Sequence, residues 1–413
     1  MVERINRPQY MKRLIEFRGK DVVKIVTGIR RCGKSTLLDL FEDYLLDIGI
    51  PGENIIHLNM ESLRYRHITD HVAFYEYVSA RIVAGEKNYL IFDELQAVSH
   101  WEKAIESFRL DCDVDIYITG SNAYMLSSEF STLLSGRYVE IRMLPLSFKE
   151  FLLFNEFAAD TAMDKKFQRY LQFGGMPVLG QFRFNEARSF EALEGIYNTV
   201  ILRDVMERNQ TADAALLHKL VLFLCGNIGS ITSPNNIGNV LSDEGEIQKI
   251  KKNAGKGVAG KTVDKYIHML RSAFVFYPVG RYDVKGKQLL KTLEKNYIID
   301  IGFRNMLLGY RDADRGHILE NIVFLELLRR DYRVYIGKVG DAEIDFVAEK
   351  RSERLYVQVA ESLLGESARE RELRPLRSIR DNYDKVILSM DTSYIDSYDG
   401  IRALNVVDFL LGE

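Results

Sequence analysis

An α/β fold built on a parallel sheet covered on both faces is predicted by three observations near the start of the chain. Five short apolar or β-branched runs alternate with helix-like segments, the pattern of strands joined by helical crossovers. Residues Gly28 to Ser35 read G-I-R-R-C-G-K-S directly after the first run, so a glycine-rich turn lies between a strand and a helix. The third run, Asn88-Tyr-Leu-Ile-Phe-Asp-Glu-Leu95, is an apolar strand that ends in two carboxylates.

The expected strands are Val22 to Thr27, Asn54 to Asn59, Tyr89 to Asp93, Asp115 to Thr119 and Tyr138 to Met143. After the first comes a G-x-x-x-x-G-K-S phosphate loop comprising Gly28, Ile29, Arg30, Arg31, Cys32, Gly33, Lys34, Ser35 and Thr36. Its glycines let successive backbone N–H groups face phosphate oxygens, and Lys34 brings a cation to the β- and γ-phosphates of a nucleoside triphosphate. Ser35 is the expected Mg²⁺ ligand. The following segment puts Leu37, Leu38, Phe41, Tyr44 and Leu45 on one helical face, and the N-terminus of that helix adds its positive dipole end to the loop. A chance match in a turn is the alternative, and the strand before and helix after argue against it.

Asp93 is expected to hold Mg²⁺ through water and Glu94 to polarise the attacking water, which favours hydrolysis over binding alone. The fourth strand ends Tyr117-Ile-Thr-Gly-Ser-Asn122, bringing a polar side chain to the carboxyl edge where open α/β sheets bind ligand. Ser121 or Asn122 is the candidate contact to the γ-phosphate. A helix from Met125 to Leu134 is expected to close at Gly136, with Arg137 opening the fifth strand.

At 413 residues and 46% hydrophobic, the chain has length for two to four domains with buried cores. A formal charge of −3 gives no global field toward nucleic acid or an acidic membrane. Cys32, Cys112 and Cys225 lack C-x-x-C spacing, which argues against a disulfide framework or a zinc site and for the reducing cytoplasm. Cys32 reads as a small residue filling the loop rather than a redox sensor. No apolar signal core and no run of the ~18 uncharged apolar residues of a membrane helix is present, so no membrane partner is expected.

The phosphate loop, Phe92-Asp-Glu-Leu95, Thr119-Gly-Ser-Asn122, Leu134-Ser-Gly-Arg137 and Leu144-Pro-Leu-Ser-Phe-Lys-Glu-Phe151 together resemble the AAA-type P-loop ATPases, in particular a prokaryotic branch carrying a C-terminal domain of unknown function. The resemblance spans nearly the whole chain. It implies ATP with Mg²⁺, Asn122 as a sensor, and Arg137 as an arginine finger acting on a neighbouring subunit of a homo-oligomer. It also implies that residues 1–147 form the nucleotide-binding domain and 148–210 a helical lid. Within the lid, Tyr170-Leu-Gln-Phe-Gly-Gly-Met-Pro177 signals a turn after a helix, and Arg203 and Arg208 are alternative second sensors.

Residues 211–310 look like a winged helix-turn-helix: helices at Leu216 to Cys225, from Ser233-Pro234, and at Thr262 to Ala273, then strands at Phe274 to Val279 and Asn296 to Asp300. The most basic stretch, Lys249 to Lys265, holds Lys249, Lys251, Lys252, Lys256, Lys261 and Lys265. With His268 it is a candidate face for duplex DNA, and Thr262 a candidate helix cap. A protein partner is the competing reading, since winged helices also serve protein contacts.

Residues 311–413 resemble the restriction-nuclease-like PD-(D/E)xK core, with Glu320 and Asp345 as metal-binding acids and Gln358 in the second acidic position. Ala360 stands where that pattern has lysine, and Lys338 is a weak substitute. A degenerate, inactive α/β domain is therefore expected, because the transition-state cation is missing. The chain as a whole reads as an ATPase in which Glu94, Arg137 and Asn122 serve turnover, driving or gating its C-terminal half. A slow nucleotide-gated module that binds DNA or protein, and an ATP-coupled nuclease, are the rivals.

Overall fold

The run Tyr89 to Phe92 has no polar face to show to water, and Val23–Thr27 is interrupted only by Lys24 and closed by Thr27, so both are expected as strands covered on both sides. In the computed structural model both are buried along their whole length. They belong to a sheet of β1 (Val23–Thr27), β2 (Ile55–Asn59), β3 (Asn88–Asp93), β4 (Val114–Gly120) and β5 (Tyr138–Arg142), all parallel in the order β2-β3-β4-β1-β5. Each strand expected from the sequence is within one residue of these bounds at either end. The structure describes residues 5–126, 136–206, 213–243, 258–392 and 395–412. The helix expected at Met125 to Leu134 falls mostly outside them.

Helices α1 (Pro8–Glu16), α2 (Lys34–Asp47), α3 (His71–Ser79) and α4 (Trp101–Asp111) accompany this sheet. Leu37, Leu38, Phe41 and Leu45 of α2 are buried as its periodicity requires, with Tyr44 half-buried. Phe74 and Phe108 pack edge to face at 5.9 Å inside the core formed by β2, β3, β4 and the helices over them. A buried ion pair lies within the sheet: Lys24 of β1 pairs with Asp115 of β4. Asp115 also accepts the Tyr117 hydroxyl at 3.0 Å and the Gly19 N–H at 2.7 Å, which satisfies a charge too costly to bury alone.

The chain divides into two compact units, Met1–Pro145 with Ser272–Phe274, and Leu146–Arg271 with Val275–Glu413. The second begins with helices α5 (Phe148–Phe154), α6 (Met163–Phe173) and α7 (Glu186–Thr199). Ser147 starts α5 with a reciprocal capping box to Glu150. Next come α8 (Ala214–Gly226), β6 (Ile231–Thr232), α9 (Pro234–Asp243), α10 (Gly260–Ser272), β7 (Phe276–Asp283), β8 (Gln288–Ile298) and α11 (Ile301–Leu308). The remainder is α12 (Arg315–Arg329), β9 (Arg333–Val339), β10 (Ala342–Lys350), β11 (Glu353–Val359), α13 (Glu366–Arg377), β12 (Asp384–Ser389), β13 (Ser397–Tyr398), β14 (Ile401–Asn405) and α14 (Val406–Leu411).

The nine described strands of this unit form one sheet in the order β13-β14-β12-β11-β10-β9-β7-β8-β6. The edge expected near residue 310 therefore does not separate two sheets, because β7 pairs in parallel with β9. Two local expectations also change. Thr262 sits inside α10, not at its cap, because the helix begins at Gly260. Asp300 is not the end of a strand but the N-cap of α11, accepting the Gly302 N–H at 2.8 Å.

Asp300 does more than cap. Its second oxygen accepts the Gly175 N–H at 2.6 Å, just past α6. Glycines are required at this corner: a Cβ at Gly174 would lie 2.1 Å from the Asp300 carboxylate, and one at Gly302 would lie 2.1 Å from the Phe173 carbonyl oxygen. Asn305 continues the junction through the carbonyls of Leu171 and Gln172, at 2.8 and 2.9 Å.

Burial pushes the Asp300 carboxyl up to about 7, against the pull of its two N–H donors. Free in an unfolded chain, the group titrates near ~3.9. Between those values the unfolded chain has released the proton and the folded unit keeps it. Stability is thus expected to fall as pH rises from about 4 to about 7, by at most roughly 4 kcal/mol, and then to level off. Urea denaturation across that window checks this: wild type should lose stability, and Asp300→Asn should flatten the loss.

Candidate nucleotide site

The site forms where β1 and β3 end. Gly28 has φ of +151° and a Cβ there would lie 2.2 Å from the Met143 carbonyl oxygen, so only glycine allows the loop to leave β1 this close to the chain after β5. Gly33, at φ +105°, turns the loop into α2 without a side-chain cap, leaving the first-turn N–H groups to an outside acceptor. Arg7 braces the far side. Its buried guanidinium donates to the carbonyls of Cys32 at 3.2 Å, Leu144 at 2.8 Å and Pro145 at 3.2 Å.

Lys34 folds back over the loop, donating to the Gly28 carbonyl at 3.0 Å and the Ile29 carbonyl at 3.3 Å. Its ammonium also lies 3.4 Å from Glu94. Burial alone raises the Glu94 carboxyl, but Lys34, Gln96 and Arg30 hold it below its ordinary value, so it stays ionised. Gln96 donates its amide to the same carboxylate. Glu94 has φ of +52°, an unfavourable backbone for a non-glycine residue, and its N–H is tied to the Thr119 hydroxyl at 2.9 Å.

Asp93 is more constrained. Thr119 donates to one of its oxygens and Asn59 to the other, at 2.8 Å for Asn59, and Ser35 also hydrogen-bonds to it. Burial nevertheless raises its pKa, opposed by Thr119 and Ser35. The phosphate-loop lysine, the loop serine and both β3 acids are thereby brought together. Ile29 and Cys32 are buried, Thr36 half-buried, and Arg31 and Ser35 exposed. Arg30 pairs with Glu61 at 2.9 Å. Burial pushes the Cys32 thiol up, which suits a filler rather than a reactive group.

Asn122 is buried just past β4, and Ser121 accepts a 3.4 Å contact from Gln96. Arg137 is exposed immediately before β5, its carbonyl accepting the Val23 N–H at 3.0 Å. Leu134 and Ser135 of its motif, Arg208, the side chain of Arg203, and Lys249, Lys251, Lys252 and Lys256 lie outside what the structure describes. Sequence reading missed Asn59, Gln96 and Arg7. Asn59 carried a usable signal, a polar residue ending a strand in register with Asp93; Gln96 and Arg7 carried none.

In the second unit, Glu320 is on α12, Asp345 on β10 and Gln358 on β11. The Gln358 carbonyl oxygen receives the Asp345 N–H at 3.3 Å, and its amide donates to Glu372 at 2.9 Å. Ala360 is buried. Lys338, on β9, is in register with Glu343, but the ammonium beside Glu320 belongs to Lys295, a residue the sequence reading did not single out.

A family profile described as an AAA domain matches residues 20–152, and one described as a domain of unknown function (DUF8612) matches residues 164–314. An uncharacterized protein of Haemophilus influenzae is 40% identical over 98% of each chain. An uncharacterized protein of Methanocaldococcus jannaschii is 27% identical over 92% of this chain and 84% of its own. Among solved structures, a Walker-type ATPase of Pyrococcus abyssi is 14% identical and has a TM-score of 0.50, covering 73% of this chain and 95% of that one. That likeness concerns the fold. No described helix is long and apolar enough to cross a membrane.

Proposed function

Because the chain belongs to the family of AAA-domain P-loop proteins that includes the Haemophilus influenzae relative, we propose that it binds ATP with Mg²⁺ and hydrolyses it to drive or gate its C-terminal half. One observation carries this reading: Lys34, Ser35, Asp93 and Glu94 converge beside an uncapped helix N-terminus.

Ser35 and Asp93 are the residues to hold Mg²⁺, which when bound neutralises triphosphate charge. Lys34 turns from Glu94 to the phosphates, and Glu94 then accepts a proton from the attacking water. Gln96 keeps the Glu94 carboxylate aimed. Asn122 is the sensor at the end of β4, and Arg137, exposed on its own protomer, is the finger offered to a neighbouring copy in a homo-oligomer. The rival, a slowly turning nucleotide-gated module, is favoured by the engagement of Glu94 with both Lys34 and Gln96, which withholds it from water.

Residues 148–210, with α5, α6 and α7 among them, act as the lid. The segment from α8 to β8, with β6 paired to β8, is read as a winged helix, and α12 to β12 as a degenerate nuclease-like core. Lys261, Lys265 and His268 are exposed on α10 and form the described part of a basic face for duplex DNA, a protein partner being the alternative. The cytoplasm is the compartment we assign.

Lys34→Ala should weaken ATP binding at least tenfold, whereas Glu94→Gln should retain binding and lose roughly 10² to 10⁴ in turnover. Nucleotide titration and phosphate release measure the two separately, and parental turnover in Glu94→Gln would exclude its catalytic role. Arg137→Ala is expected to lose about 10³ or more in rate with ATP affinity spared. Mixed with Glu94→Gln it should regain part of the activity through shared sites; no regain at any ratio sinks action between copies. Lys261→Glu with Lys265→Glu should weaken duplex retention and shallow its salt dependence by roughly one to two log units per log unit of salt. Retention by wild type that this pair leaves unaltered removes α10 from the DNA face.

A further inference from the structure

The second unit buries a lysine among acids. Lys295, on β8, has a side chain only 5% exposed, with its ammonium 2.7 Å from Glu343 on β10 and 3.1 Å from Glu320 on α12. Tyr297, two residues along β8 and so on the same face, donates its hydroxyl to the Glu320 oxygen that Lys295 contacts. The other Glu320 oxygen faces His317 at 3.8 Å and is covered by Gly229, where an added Cβ would come within 3.0 Å of it. Asp345, two residues beyond Glu343, accepts the Val359 N–H at 2.8 Å.

Burial opposes charge on Lys295, yet Glu320, Asp345 and Glu343 together hold its pKa above the ordinary value. Burial and the charge of Glu320 push the Asp345 carboxyl well up.

We propose that the Lys295 ammonium is the resident cation of this cluster, standing where an acid cluster of this composition would otherwise take a divalent metal ion. Hard divalent cations need oxygen ligands drawn in to about 2.0–2.6 Å. An ammonium is satisfied at hydrogen-bond distance, which is how Glu320 and Glu343 are spaced here. A tethered cation also competes at high effective concentration, so free metal is excluded even where the acids alone would bind it. The rest of the cluster agrees. Gln358 contributes an amide already committed to the Asp345 N–H and the Glu372 carboxylate.

The consequence is mechanical. Glu320, Glu343 and Lys295 come from α12, β10 and β8, so one ion network joins the hairpin of the winged-helix-like segment to the nuclease-like layer. The inference rests on the geometry around Lys295 and stands whether or not the first unit hydrolyses ATP.

The test is Mn²⁺ binding to the full-length, nucleotide-free protein, followed by electron paramagnetic resonance. Wild type should show no bound Mn²⁺ that Asp345→Asn removes. Lys295→Met should gain one such site per chain, at least tenfold tighter than any binding to wild type, and adding Asp345→Asn should abolish the gain. Wild-type Mn²⁺ lost on Asp345→Asn overturns the proposal, as does a folded Lys295→Met that gains no metal. Should Lys295→Met fail to fold, the wild-type comparison decides alone: Mn²⁺ sensitive to Asp345→Asn refutes it, and its absence upholds it.

Discussion

Carboxylates buried beside an ammonium are the constraint on which both units depend. A buried acid without a counter-charge loses its proton only at large cost, and removing one partner of such a pair strands the other. The chain meets this requirement at Lys24 with Asp115, at Lys34 with Glu94, and at Lys295 with Glu320 and Glu343. What differs is how complete each arrangement is. Lys24 is fully buried, and Asp115 has its remaining acceptor sites filled by Tyr117 and Gly19. Lys34 instead spends its other bonds on two loop carbonyls beside an exposed Ser35. An incoming phosphate can replace those partners, which makes the second pair the exchangeable one.

Exchange at Lys34 needs a loop that stays in place when its lysine moves. The structure provides this through backbone proximity, not side-chain packing. Gly28 passes so close to the Met143 carbonyl that any side chain would collide, and Arg7 ties Cys32 to Leu144 and Pro145. The corner at Gly174 and Gly175 uses the same device, with Asp300 as the shared acceptor. In both places glycine is fixed by what approaches it, so substitution costs contact energy as well as conformational freedom.

The first unit was legible because its signals are local. Strand boundaries followed from apolar runs bounded by turns, and Lys34, Ser35, Asp93 and Glu94 from fixed spacing against those strands. The second unit was legible in its elements but not in how they associate. Nothing in the hairpin of β7 and β8 announces that β7 pairs with β9, because strand pairing across long separations leaves no periodic trace. For the same reason Lys338 drew attention by lying near Asp345 in the chain, while Lys295, fifty residues earlier, supplies the ammonium. Asp300 read as the end of a strand because capping depends on where the next helix begins, and Gly302 gave no helical signal.

Glu94 shows how the exchangeable pair links binding to chemistry. Two opposing influences set its proton affinity: burial raises it, and Lys34, the largest opposing one, lowers it. On the proposed reading, a phosphate that takes Lys34 would weaken that opposition while burial remains, leaving the carboxylate more basic. A general base gains as its pKa approaches the working pH, and the Thr119 contact to the Glu94 N–H holds the strained backbone while the partner changes. On the proposed reading, the lysine that holds Glu94 ionised would release it where the γ-phosphate and its water bind. The Lys295 ammonium is held differently, by two carboxylates, Glu320 and Glu343, where Lys34 has one carboxylate and two loop carbonyls.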